Sequence, residues 1–455
     1  MRHRGSRPIA ITVALAVLAA CGGSGNGDTE QGAATTTQAP ATTASGPAPT
    51  SPASSAAPST DDSVAPAPAD TDPFTTVLAT LSAPSGEPFR LGLVNTEGVP
   101  GLDLPEIRTS IEAAVDYLNQ HGGFGGRPVE LVTCIVAGSP ESSQACAQEV
   151  VGKGVELVVL GFDLFAHYPT YAAEGVQVVG ALPILPPDYQ AEALFVTGGN
   201  LTVTAAMAGI AAQHFGAAKV AILSADDVGS NSTVASLTAA LDAAGVAHVS
   251  VKGAINETDA GFQGLLRQAD SQGADLLVSL YGGEGCLGTM RGRATLGIDT
   301  PVLSTTACAG AGVLDQVGDD AAGWTFAGVG EATDSPNDQL IRTMLAPSLG
   351  IAPDEVDTGG IGLGILGLIG VMSLAKFAHL IAEDGGEVTA AALYAFMGES
   401  QGVDFWPSGP PKACGAAPAY PSICSFEFPV AEYIPGEGLK ELAALPSISA
   451  LDYLP

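Results

Sequence analysis

From Phe89 onward the hydrophobic pattern alternates between two periods. Short runs rich in Val, Leu and Ile predict strands at Arg90–Val94, Val129–Cys134, Leu157–Leu160, Val176–Val179, Val220–Leu223, His248–Val251, Leu276–Leu280, Val302–Thr305 and Trp324–Val329. Between them apolar residues recur at helical spacing. Ile107, Ile111, Ala114, Val115 and Leu118 make one stripe, and Glu141–Lys153, Val203–Phe215, Ser232–Ala243 and Gly261–Gln272 read as further helices. This alternation predicts an α/β fold of parallel, doubly wound sheet. The series breaks near residue 200, so two such lobes joined by a hinge are expected. A doubly wound sheet binds ligands beyond the carboxyl ends of its strands. Two lobes with their strand ends facing one another would therefore make a cleft.

Two glycine-rich stretches interrupt the pattern. In LNQHGGFGGRPVELVTC, Gly122, Gly123, Gly125 and Gly126 surround Phe124. A phosphate loop leaves a strand and opens a helix. Here a helix precedes the glycines and a strand follows, so a corner is favoured over a nucleotide site. Asp103 with Glu106 reads as a capping box starting that helix. The second stretch, Thr358 to Ala375, is apolar and carries Gly359, Gly360, Gly362, Gly364, Gly367 and Gly370. A membrane helix and a buried helix crossing back to the first lobe both fit. Its shortness, and the Lys376 and His379 that follow, favour the buried helix. Beyond Gly402 the chain is Pro-rich and reads as irregular, with one strand-like run, Ser425–Tyr433.

The first 72 residues follow neither period. Arg2, Arg4 and Arg7 precede an apolar run, Ile9 to Ala20, and Leu18-Ala19-Ala20-Cys21 follows the form of a bacterial lipobox. Residues 1–20 are expected to be a lipoprotein signal peptide, with Cys21 acylated. The stretch from residue 21 to 72 is dominated by Ala, Thr, Ser, Pro and Gly and has no aromatic residue, so it is expected to be a disordered tether. As a flexible coil it would span roughly 40 Å. The lobes are then expected at 88–202 with 331–400, and at 203–330 with 401–455. The chain of 455 residues carries a formal charge of −32, and loss of the leader's three arginines makes it more negative still. That field excludes nucleic acid as a partner.

Seven cysteines fit an oxidising compartment. With Cys21 lipidated, six remain. The nearest-neighbour set, Cys134–Cys146, Cys286–Cys308 and Cys414–Cys424, is favoured among the possible pairings. No CxxC or Cys/His cluster supports a metal site instead.

The glycine corner carries a family resemblance. Asn119-Gln120-His121-Gly122-Gly123-Phe124-Gly125-Gly126-Arg127-Pro128-Val129-Glu130-Leu131-Val132 resembles a segment of the Leu/Ile/Val-type substrate-binding proteins of ABC transporters, which have the type I periplasmic-binding fold. Ser142–Val151, Gly273-Ala274-Asp275 with the strand after it, and Ala294–Ile298 before Pro301-Val302-Leu303 are similar to later family segments in the same order. The resemblance covers about Phe89 to Leu445. It implies an extracytoplasmic lipoprotein that closes on a small molecule and delivers it to a permease and its ATPase, with no cofactor.

The family's amino-acid binders place a Ser after the third strand, a Ser/Ala-x-Thr after the fourth, and a Tyr-Gly after a pair of acids in the second lobe. Here the corresponding stretches are Gly161-Phe162-Asp163-Leu164-Phe165-Ala166-His167, Gly180-Ala181-Leu182-Pro183, and Val228-Gly229 after Asp226-Asp227. An apolar lining cannot satisfy a zwitterion, so an amino acid or, better, a less polar analogue is expected. By position at strand ends the site candidates are Asn95, Thr96, Asp163, Leu164, Phe165, Ala181 and Leu182 in the first lobe. In the second they are Asp227, Val228, Tyr281, Gly282, Thr305 and Glu331. Asp163 or Glu331 is expected to hold an ammonium group, and Tyr281 to stack or donate. Asp163 with His167 reads as a surface pairing rather than a metal or catalytic pair. No GxSxG, HExxH or Walker pattern is present, so no enzyme is expected. A ligand sensor or interaction lipoprotein of the same fold is the alternative to a transport role.

Overall fold

Parallel strands build both sheets in the computed structural model, which describes residues 72–99, 103–329, 335–399, 404–407 and 413–455. The expected leader, Cys21, the tether to residue 71 and Glu331 lie outside the described residues. So does the Val228 side chain.

The first sheet contains β1 (Phe89–Thr96), β2 (Val129–Val136), β3 (Leu157–Leu160), β4 (Gln177–Gly180) and β5 (Leu194–Phe195), in the order β2-β1-β3-β4-β5, all parallel. Its helices are α1 (Pro73–Leu78), α2 (Pro105–Leu118), α3 (Pro140–Gly152), α4 (Tyr168–Ala173) and α5 (Pro186–Tyr189). The second sheet contains β6 (Lys219–Ala225), β7 (Ala247–Gly253), β8 (Leu276–Ser279), β9 (Val302–Thr305) and β10 (Trp324–Ala327). Interleaved with them are α6 (Gly199–Gln213), α7 (Val228–Ala243), α8 (Asp259–Asp270), α9 (Glu284–Leu296) and α10 (Ala311–Val317). The chain then adds α11 (Pro336–Leu349), α12 (Gly364–Glu383) and α13 (Ala390–Glu399) to the first core. In each sheet the winding reverses beside the strand that starts it, between β1 and β3 and between β6 and β8. Those are the switch points where such sheets bind ligands.

The tail corrects an expectation. Rather than one irregular stretch, it supplies β11 (Glu427–Ile434), β12 (Gly438–Glu441) and β13 (Ser447–Ser449), which extend the second sheet antiparallel from β10. A tight turn carrying Gly436 at positive φ joins the first two. Residues 413–424, expected in the second lobe, lie against the first. Phe195 donates its N–H to Ser422 O at 2.8 Å, and Cys424 N–H donates to Phe195 O at 3.1 Å. This pairing extends the edge at β5.

The glycine corner is structural. All four glycines have positive φ, and a side chain on Gly123 would put its Cβ 2.1 Å from Arg127 O. Asn119 clasps the corner, donating Nδ2–H to Val129 O and accepting from Val129 N–H at Oδ1. The Arg127 guanidinium pairs with Glu156 at 2.7 Å and lies over the Phe89 ring. The helix upstream starts one step later than the capping-box reading. Pro105 is its first residue, Leu104 its uncapped N-cap, and Asp103 Oδ1 accepts from Gly98 N–H instead.

The apolar 20-residue α12 is long enough to cross a membrane, yet 67% of its most apolar window is buried within the fold. Its glycines permit this. A Cβ on Gly364 would lie 2.6 Å from Ser110 Oγ, and one on Gly367 would lie 3.0 Å from Ile107 and Ile111, so only glycine lets α12 pack this closely on α2.

The N-terminal segment also joins this core. Asp72 is fully buried, caps α1, and pairs with Lys376 Nζ at 2.8 Å. Thr75 Oγ1 donates to Asn337 and accepts from Trp406 Nε1–H, while Phe74 and Leu78 fill the hydrophobic core. Asp72 thus belongs to the folded first lobe and not to the tether. The three disulfides are Cys134–Cys146, Cys286–Cys308 and Cys414–Cys424, the nearest-neighbour set.

Candidate functional site

At the carboxyl ends of the strands the two halves of the chain meet. α6 begins against the loop after β4, where a side chain on Gly199 would collide with Pro183 O at 2.3 Å. α10 packs on the 3-10 turn Thr358–Ile361.

In the first lobe the polar candidates are consumed by the fold. Asn95 is fully buried, donating Nδ2–H to Leu104 O at 2.8 Å and to Glu97, while Oδ1 accepts from Phe162 N–H. Thr96 is buried and donates its hydroxyl to Phe162 O. These two bind the end of β1 to the loop after β3. Asp163, expected to reach for an ammonium, turns inward: it is 5% exposed, and Oδ1 accepts from Ser143 Oγ at 2.6 Å and Phe165 N–H at 3.0 Å. The reason is local. Accepting from a backbone N–H two residues on closes an Asx turn, which points the carboxylate back towards α3. His167 bonds to Thr170 Oγ1 and makes no pair with Asp163. Ala181 is buried, and its carbonyl accepts from the Thr197 hydroxyl. That leaves apolar surface at the tips. Leu164 and Leu182 are half-buried against the core, and Phe165 is 38% exposed.

The second lobe presents more polar tips. Asp227 caps α7, accepting from Ser230 N–H at 3.0 Å and Ser230 Oγ at 2.7 Å. The Ser230 backbone N–H, then its hydroxyl, hold the carboxyl below the ordinary range. Gly282 is exposed, and Thr305 is half-buried, accepting from Ala307 N–H. Tyr281, expected to stack on a guest, instead packs edge-on against Phe262 and is 3% exposed. Burial, then the charge of Glu257, pushes its phenol up to about 12. The candidates brought to the tips are thus Leu164, Phe165, Leu182, Asp227, Gly282 and Thr305.

Sequence reasoning missed one charged feature. Arg108, in the first turns of α2, binds Glu97 just beyond β1 with both Nε and Nη2, at 2.8 and 3.1 Å, and Glu112 with Nη1. The bonds to Glu97 and then Glu112 raise its pKa further. The i,i+4 spacing of Arg108 and Glu112 is a readable signal; the bridge to Glu97 across the β1–α2 loop is not. A cavity of about 680 Å³ lined by Arg90, Arg127, Glu156 and Glu387 lies at the opposite, amino ends of the strands, where Arg127 is already paired.

Comparison with known proteins agrees with this geometry. A family model described as periplasmic binding protein matches residues 90–411. The Leu/Ile/Val-binding protein BraC3 of Rhizobium johnstonii is 26% identical over 252 residues, which are 53% of this chain and 67% of that protein. An ABC transporter substrate-binding protein from Sphaerobacter thermophilus superposes with TM-score 0.61 at 20% identity, covering 81% of this chain and 100% of the other. A solute binding protein of an ABC transporter from Rhodopseudomonas palustris HaA2, in complex with p-hydroxybenzoic acid, gives TM-score 0.57 at 20% identity, covering 80% and 98%. The two parallel-sheet lobes are those of the type I periplasmic-binding fold. With a switch point in each parallel sheet, and a family model spanning both lobes, the chain belongs to the periplasmic binding proteins, a family of solute binders and not of enzymes.

Proposed function

We propose that this protein captures a small organic acid with an apolar body between the strand tips of its two lobes and delivers it to an ABC permease and its ATPase. The observation that carries the ligand class is the first lobe's tip. Asn95, Thr96 and Asp163 spend their polar groups on the fold, and Leu164, Phe165 and Leu182 remain. Such a surface favours a ring or branched chain and leaves an ammonium unsatisfied. Of the relatives, the one crystallised with p-hydroxybenzoic acid has a guest of the proposed class, whereas the one named for Leu, Ile and Val points to amino acids, which the screen below includes. The hydrogen-bond donors for a carboxylate would be the second lobe's Thr305 hydroxyl and backbone amides near Gly282.

Membrane attachment through Cys21, supported by the lipobox form of Leu18-Ala19-Ala20-Cys21, completes the proposal. Labelling with a fatty-acid analogue should mark the wild type and not Cys21→Ser. The ligand test is a thermal-shift screen of the purified full chain against amino acids, amides, short fatty acids and aromatic acids. A hundredfold excess over Kd should stabilise by about 2.7 kcal/mol. A hit among apolar acids with silence from the amino acids supports the reading. Tight binding of leucine would overturn the ligand class.

A further inference from the structure

Two neighbouring loops form the second lobe's tip beyond β8 and β9. The strands themselves are tied as far as their ends, where Ser304 Oγ donates to Ser279 O at 2.9 Å. Above that point the chain changes character. Gly282, Gly283 and Glu284 beyond β8 are exposed, as are Thr306 and Ala307 beyond β9. Gly283 has φ 50°, and a Cβ on Gly282 would lie 3.9 Å from the Ala307 methyl, so the loops face each other. Among the described residues no backbone hydrogen bond joins residues 281–284 to 305–309. What joins them is covalent. Cys286, in the first turn of α9, is bonded to Cys308, the last residue of the 3-10 turn Thr306–Cys308. Both are fully buried directly beneath the exposed residues. Their sulfurs pack on Tyr281 O at 3.4 and 3.2 Å, and Cys286 Sγ lies 3.5 Å from Ala307 O.

The β8 loop is held from its other side by Tyr281. That ring packs edge-on against Phe262, and its hydroxyl donates to Ala254 O beyond β7 at 3.4 Å. It also crosses the first turn of α9, where a Cβ on Gly285 would lie 2.6 Å from Tyr281 Cδ1. The Gly282–Gly283 turn thus sits between two buried anchors. Consecutive glycines lose more backbone freedom on ordering than other residues. A guest that had to order them would bind more weakly for it, whereas a turn already held would not exact that cost. We infer that the Cys286–Cys308 disulfide is a positioning element for ligand capture: it fixes the Gly282–Gly283 turn against Thr305–Ala307, so that the second lobe's half of the cleft is formed before the guest arrives. Tyr281, buried rather than stacked on a guest, serves the same turn from the opposite side. The consequence for ligand rests on the proposed function; the ordering of the loops does not.

The experiment compares the full wild-type chain with Cys286→Ala/Cys308→Ala. The control is Cys134→Ala/Cys146→Ala, which removes the disulfide between β2 and α3 in the first lobe. Hydrogen exchange read by mass spectrometry reports on the loops. The N–H groups of Gly285, residue 286 and Ala309 bond within their own loops, to Gly282 O, Gly283 O and Thr306 O. In the first variant they should exchange at least about tenfold faster, through local opening, while β8 and β9 keep wild-type rates. The control should leave these amides unchanged. Wild-type rates in the loops of the first variant would overturn the inference. So would an acceleration spread equally over β8 and β9, the mark of a disulfide that only staples the fold. If the alanine pair does not fold, Cys286→Val/Cys308→Ala retains more of the buried volume and is measured in its place. Calorimetric titration of the best apolar acid from the screen forms the second arm. Its affinity should fall more than about tenfold in the first variant relative to the control. Loosened loops with unchanged affinity would overturn the positioning role and remove these loops from the proposed binding site. Loops that stay tight would overturn the clamp alone and leave the proposed function standing.

Discussion

Two aspartates, each just past the end of a parallel strand, behave in opposite ways. Asp163 follows β3 in the first lobe and is swallowed by the fold, whereas Asp227 follows β6 in the second and sits at the surface as a helix cap. The first is pushed towards its neutral form by burial; the second is held as an anion by the Ser230 N–H and hydroxyl. A residue type at a strand tip therefore does not announce a ligand contact. What decides is whether the backbone around it already uses its donors and acceptors. The first lobe spends its polar groups internally and offers apolar surface, while the second keeps a more polar face.

The same contrast orders the expected effects of substitution. The largest concerns the anchoring of the N-terminal segment. The Lys376–Asp72 pair is almost wholly buried, so Lys376→Ala leaves an unpaired buried carboxylate and should cost about 3–5 kcal/mol in chemical denaturation. The exposed Lys252–Asp226 pair of the second lobe, at 3.8 Å, is its counterpart, and Lys252→Ala should cost less than about 1 kcal/mol. Equal losses would break the comparison.

Next comes packing. Gly367→Val should drive a side chain into Ile107 and Ile111 and destabilise by about 1–3 kcal/mol, whereas Gly370→Ala, which meets nothing within 4 Å, should be tolerated. The smallest effect concerns the cap. Asp227→Ala should cost about 1 kcal/mol at neutral pH. Because the folded pKa of Asp227 is lowered, its contribution is present above the unfolded value near 3.9 and is lost as pH falls through the folded value. Asp163 has the opposite sign: its folded pKa is raised, so stability falls as pH rises from about 3.9 to that value. Melting both variants beside wild type from pH 3 to pH 8 should show Asp227→Ala converging with wild type in acid and Asp163→Asn diverging from it as pH rises above about 3.9.

Much of the fold was legible because its signals are local and repetitive. The strand runs in the two sheets alternate with helical stripes, and the glycines between Leu118 and Val129 lie in the order that marks a corner. What escaped was long-range or depended on side-chain direction. β12 and β13 are short pieces of a Pro-rich tail that become strands only through pairing with β11. Asp72 meets Lys376 across 304 residues, a partnership no local window contains. At the site, positions at strand ends were readable, but orientation was not. Asn95, Asp163 and Tyr281 all stand where expected along the chain and all point into the protein. Their inward turn follows from hydrogen bonds to neighbouring loops and from packing on other elements.

Calorimetric titration of the best apolar acid from the screen into wild type and into Phe165→Ala/Leu182→Ala bears most directly on the cleft as a binding site. The account predicts measurable heat for wild type and an affinity loss of more than about tenfold, roughly 1.4 kcal/mol or more, in the double variant. Unchanged affinity in a double variant that folds as well as wild type would contradict it, and would place the guest away from these strand tips.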